Sequence, residues 1–80
     1  ISSKVSILKI LLDSISEEYG VAQKLIANKN DLQELILNDK ADIKTLKGWR
    51  FEIFGKKALD FKNGKIALKM KDNKVILDKC

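Results

Sequence analysis

Through the first fifth of the chain apolar residues recur at three- and four-residue steps: Val5, Leu8, Leu12, Ile15 and Tyr19, with Leu11 beside them. That is the period of a helix with one buried face. Ser2 or Ser3 can cap its start, and Gly20 closes its end. The segment VAQKLIAN follows, an apolar connector too short for an independent helix. Asn30 and Gln33 then have the spacing of a capping box. The pattern predicts a second helix over about 31–38, burying Leu32, Leu35 and Ile36. NDKAD interrupts the periodicity, and Asp42 is placed to cap a short helical turn carrying Ile43 and Leu46 up to Gly48. In GWRFEIFGKKALDFKNG a new stripe appears: Trp49, Ile53 and Phe54, then Ala58 and Phe61, with Asn63-Gly64 as the stop signal. Gly55 lies within that stripe and costs about 1 kcal/mol relative to Ala in a helix, so close packing or a break is expected there.

After Gly64 the period falls to two. Ile66, Leu68 and Met70 alternate with Ala67, Lys69 and Lys71, and Val75 and Leu77 follow Lys71-Asp72-Asn73-Lys74. This predicts a β-hairpin. An isolated hairpin is marginal in water, so its apolar face should dock on the helices.

The chain has 80 residues, 45% hydrophobic and 34% charged. One small domain with one modest core follows, not a catalytic domain with a deep cleft. Histidine is absent and cysteine occurs once, which excludes histidine-based general catalysis and a Cys/His zinc cage. The longest apolar stretch, ILKILL, contains Lys9 and falls far short of the roughly 18 residues a spanning helix needs. No membrane partner is expected, and the lone thiol at Cys80 fits a reducing cytoplasm. The absence of an initiating Met at Ile1 reads as a piece cut from a longer polypeptide.

Charge is unevenly placed. Residues 1–39 carry four cations against six acids, a net of −2, whereas residues 40–80 carry twelve against five, a net of +7. A basic half of this kind suits contact with nucleic acid, since each cation near a phosphate releases a counterion. Lys44, Lys47 and Arg50 fall at i, i+3 and i+6 and share a face if the helical turns continue through Gly48. Lys56, Lys57, Lys62 and Lys65 extend the basic surface. Lysine lacks a bidentate fork, so such a patch would hold phosphate backbone without reading sequence. Arg50, the sole arginine, has two open roles: clamping a phosphate or pairing with a carboxylate such as Asp42. Lys69, Lys71 and Lys74 read best as protection of the hairpin edge.

Other candidate motifs are weaker. Gly48 and Gly55-Lys56-Lys57 do not form a phosphate-binding loop, because six residues separate the glycines and Lys57 stands where Ser or Thr is required. Trp49 can stack on an unpaired base, but its register with Ile53 favours a core anchor, with Phe51 the aromatic expected at the surface. Asp13, Glu17 and Glu18 belong to a solvated face.

VAQKLIANKNDLQELI and LKGWRFEIFGKKALDFKNGKIAL together resemble the C-terminal helicase-and-RNase-D (HRDC) type domain of bacterial ribonuclease D, over about residues 5–68. The most specific piece is GWR followed by Phe54-Gly55 and then by Ala58 to Gly64. Two positions depart from that pattern: Gln23 stands where a proline is expected, and Phe51 follows Arg50 where a second basic residue is usual. The resemblance implies a mainly α fold, a small bundle of about four helices with a C-terminal hairpin, forming one accessory domain over residues 1–80. It implies a non-catalytic role in holding structured, tRNA-like RNA for a 3′ to 5′ exonuclease domain in cis. The metal chemistry of that enzyme starts from an Asp-x-Glu pair, which this sequence lacks, so divalent metal is expected in the parent's catalytic domain and no cofactor in this one. The isolated domain is expected to be a monomer. The competing reading is an interaction module that packs against the catalytic domain or a second copy through the apolar face of the hairpin.

Overall fold

The computed structural model describes residues 2–79, except the side chains of Ser2 and Lys74. Of the two serines expected to cap the chain start, Ser3 lies inside the first helix, and the side chain of Ser2, like the thiol of Cys80, lies outside the described residues.

Helix α1 (Ser2–Tyr19) follows the predicted stripe, with Val5, Leu8, Leu11, Leu12 and Ile15 all buried. Gly20 ends it at φ +66°, a left-handed conformation that glycine adopts without steric cost. Tyr19 is not part of the core: it is exposed, with the Lys57 ammonium 5.3 Å from its ring centroid.

The connector makes a single turn, α2 (Gln23–Ile26), which buries Ile26 and the following Ala27 while leaving Leu25 exposed. Helix α3 (Lys29–Leu37) starts two residues before the predicted position because the capping box is Asn28 with Asp31, not Asn30 with Gln33. The Asp31 amide donates to Asn28 Oδ1 at 2.8 Å, and the Asn28 amide donates to Asp31 Oδ2 at 3.0 Å. The sequence offers two overlapping capping-box spacings, Asn28 with Asp31 and Asn30 with Gln33, and the fold uses the first, whose Asp31 also takes the Lys44 ammonium. Ile36 is only half-buried.

Beyond α3 a 3-10 turn (Lys44–Leu46) brings Thr45 into the interior, where its hydroxyl donates to the Ile26 carbonyl at 3.3 Å. Asp42 does not cap this turn; Ile43 precedes it in extended conformation with no side-chain cap. Helix α4 (Gly48–Arg50), a wide π-helical turn (Phe51–Gly55) and α5 (Lys56–Lys62) then run on with helical dihedrals at their junctions, forming one composite rod over 48–62. Phe54 and Ala58 are fully buried on it. The sequence suggested close packing or a break at Gly55; the rod packs closely there and widens without breaking. The widened turn ends at Gly55, and a β-carbon at that position would lie inside 3.0 Å of the Thr45 carbonyl oxygen.

The hairpin pairs β1 (Ile66–Lys71) with β2 (Lys74–Lys79) in antiparallel register, with Leu68 opposite Leu77 and Met70 opposite Val75. Asp72 and Asn73 turn it at φ 54° and 63°, the doubly left-handed geometry that matches strand twist. Leu68 and Leu77 pack on the helical core, and Ser14 on α1 donates to the Val75 carbonyl at 3.4 Å. The docked face stops short of its predicted extent, because Met70 is exposed. The architecture is therefore mainly α, with four helical segments and a C-terminal hairpin among the described residues. None of the helices is long and apolar enough to cross a membrane.

Candidate nucleic-acid interface

Lys47 lies in extended conformation between the 3-10 turn and α4, and Gly48 takes φ +57°, so the helical register expected to align Lys44, Lys47 and Arg50 is interrupted. Each of the three turns to a different partner. Lys44 bridges to Asp31 Oδ2 at 2.7 Å, joining the 3-10 turn to the capping box of α3. Lys47 pairs with Asp42. Arg50 donates from Nε to the Leu25 carbonyl at 2.7 Å, and its guanidinium carbon lies 4.5 Å from the centroid of the Trp49 ring. The carboxylate pairing open to Arg50 is not realised among the described residues.

Lys57 lies 3.9 Å from Glu18 and reaches over Tyr19. Lys62, largely covered, donates to the Leu35 carbonyl at 2.9 Å and pairs with Asp39, tying α5 to the end of α3. Lys56 and Lys65 are exposed, with no ion pair among the described residues, as are Lys24 and Lys29 at the α2–α3 corner. On the hairpin Lys69 pairs with Asp78 at 2.9 Å, a diagonal cross-strand contact, and Lys71 is exposed.

Three carboxylates in these pairs titrate below their ordinary value of 3.8. Hydrogen bonds from Lys62 and Asn63 hold Asp39 down. The hydrogen bond from Lys47, reinforced by its charge, lowers Asp42, and that from Lys69 lowers Asp78.

Trp49 and Phe51 reverse the expected arrangement. Trp49 is 44% exposed and Phe51 is half-buried. Ile53, which shares a helical face with Trp49, is only half-buried, whereas Phe54 and Ala58, four residues apart, define the inward face; Trp49, five residues before Phe54, falls off that face. The available signal was Gly48: a glycine that opens a helix places the next residue in its first turn, at the rim of the core. Lys24 and Leu25 beside this rim were not foreseen as surface features, since Leu25 reads as core in any apolar run. Among the described residues no group of three or more His, Cys, Asp or Glu gathers to hold a metal ion.

No family model matches the chain, and no solved structure matches it. Eight curated proteins do, each named ribonuclease D. The protein from Nitrobacter hamburgensis is 41% identical over 75 residues, covering 94% of this chain and 20% of its own length. That from Granulibacter bethesdensis is 47% identical over 64 residues, covering 80% and 16%, and that from Jannaschia sp. is 44% identical over 69 residues, covering 86% and 18%. The chain is thus similar along nearly all its length to ribonuclease D, and it spans about a fifth of the length of the curated relatives it matches.

Proposed function

We propose that this chain is an accessory RNA-holding domain of a ribonuclease D-like 3′ to 5′ exoribonuclease in the cytoplasm, corresponding to the C-terminal HRDC-type part of such an enzyme. It contributes phosphate contacts to a structured, tRNA-like substrate, while the metal-dependent chemistry belongs to a catalytic domain in cis. The observation that carries this reading is the similarity to ribonuclease D across 94% of the chain, confined to a fifth of that enzyme. The net charge of +5 supports it, together with exposed unpaired cations at Lys24, Lys29, Lys56 and Lys65. Lys44, Lys47, Lys57 and Lys62 have intramolecular partners, so phosphate contact through them competes with those pairs. Lys56 and Lys65 carry no such cost and are the first choice for contact. Arg50 keeps its Nη donors available.

A titration of isotopically labelled domain with a tRNA-like hairpin at low and moderate salt tests this. Amide shifts along residues 44–65 that fade with salt support the reading; a spectrum unchanged up to millimolar RNA overturns it. A specific observation favours the second reading, packing against the catalytic domain or another copy: Ile7, Ile10 and Met70 leave an apolar groove open between α1 and the hairpin, floored by Phe61 and Leu68. Association that persists in high salt identifies that role.

A further inference from the structure

We infer that Trp49, backed by Arg50, is a stacking platform for an unpaired RNA base, so that the domain grips single-stranded rather than fully paired segments; the inference rests on the RNA-holding reading above. Exposure alone does not single out Trp49, since Ile7, Ile10, Leu25, Leu37 and Met70 are exposed as well; what surrounds the ring does. Phe54 is fully buried, yet Trp49, the largest side chain and the sole tryptophan, is 44% exposed. Its surroundings are organised. The guanidinium of Arg50 lies 4.5 Å from the ring centroid, and that guanidinium is itself fixed by the bond from Nε to the Leu25 carbonyl. A carbonyl on another element therefore sets the position of the cation, and the cation sits on the indole without a carboxylate to neutralise it among the described residues.

The chemistry of this pair selects its ligand. An indole with a cation on it presents a flat, polarisable surface that takes any nucleobase, and base–aromatic stacking with an arginine contribution is tolerant of sequence. The Nη donors of Arg50, which have no partner among the described residues, supply phosphate contacts at the same rim. Exposed Glu52, one helical turn from Trp49, is the neighbouring carboxylate; it opposes phosphate there and directs the strand toward α2. In a duplex the base faces are already occupied by neighbouring bases, so the platform engages loops, overhangs and 3′ ends.

The sole tryptophan makes the test direct. The 80-residue chain is titrated with an oligouridine single strand and with a blunt-ended RNA duplex, following tryptophan emission and, separately, anisotropy of labelled RNA. The single strand should quench emission and the duplex should not. Trp49→Leu should weaken single-strand binding roughly tenfold to a hundredfold with a melting temperature close to the parent's, Trp49→Phe should retain most of the affinity, and Glu52→Gln should tighten it. Single-strand binding with unchanged emission and equal affinity in Trp49→Leu overturns the platform while leaving the lysine surface intact. Equal affinity for duplex and single strand overturns the preference for unpaired bases. Absence of binding to either RNA overturns the RNA-holding reading, and the platform with it. A blue-shifted emission on self-association, with no response to RNA, identifies the rim as a protein-packing face and overturns the platform.

Discussion

Gly55→Ala sets two well-understood effects against each other. Gly55 has φ −53° and ψ −46°, ordinary helical values that alanine adopts freely, so by helix propensity alone the change should stabilise the domain by about 1 kcal/mol. The surroundings oppose it. The added methyl would lie inside 3.0 Å of the Thr45 carbonyl oxygen and at 3.2 Å from both Leu46 Cδ2 and Phe51 Cδ1. The oxygen belongs to the backbone of the 3-10 turn, and Thr45 is held in place by its own bond to the Ile26 carbonyl, so the turn cannot move without disturbing the α2 corner. Inserting a methyl into such a site costs about 3 kcal/mol, the upper part of the usual range, because backbone must shift rather than a flexible side chain. After the propensity gain, the net loss is about 2 kcal/mol, which for a domain of this size lowers the thermal midpoint by roughly 8–16 °C. Circular dichroism melts and urea titrations of parent and variant measure it. A variant as stable as the parent, or more stable, would refute the close approach of the 3-10 turn to the composite helix.

Three further outcomes follow from particular contacts. Charge reversal of Lys56 and Lys65 together should lower RNA affinity and its salt dependence at unchanged melting temperature, whereas Lys62→Glu should lower the melting temperature itself, since Lys62 ties Leu35 and Asp39 to α5; the opposite assignment of effects in paired melts and binding curves would contradict the pairing pattern. Asn28→Ala removes one half of the capping box and should cost about 1 kcal/mol by urea titration, while Asn30→Ala should be near neutral; a reversed order would return the cap to the position read from sequence. Asp39, Asp42 and Asp78 titrate lower in the folded chain than their ordinary 3.8, so their ion pairs contribute above that value and are lost as pH falls through the depressed folded values; the melting temperature should hold steady down to about pH 5, drop below about pH 4 and respond less in high salt. A midpoint insensitive to pH between 5 and 2 would remove those pairs from the stability of the fold.

The long first helix, the existence of a capped second helix, the composite rod and the hairpin are legible in the order of residues. Each announces itself through contacts between residues close in the chain: the stripe from Val5 to Ile15, the change of period after Gly64, and the Asp72-Asn73 turn whose backbone must take positive φ. The excess of lysine after residue 40, which raised nucleic acid as a partner, was equally legible. Where each cation goes is set by the packing of distant segments. Lys44 and Lys62 find partners 13 and 23 residues away, and Arg50 reaches a carbonyl 25 residues away, pairings that no local spacing encodes. The cap at Asn28 rather than Asn30 goes with the same long-range contact, since its partner Asp31 is the residue that receives Lys44. The exposure of Trp49 has the same origin. Periodicity offered two inward faces, one through Trp49 and Ile53 and one through Phe54 and Ala58, and the packing of the composite rod gives the core to the second, which leaves Trp49 at the rim. Burial is settled by packing between segments, and periodicity only names the faces that compete for it.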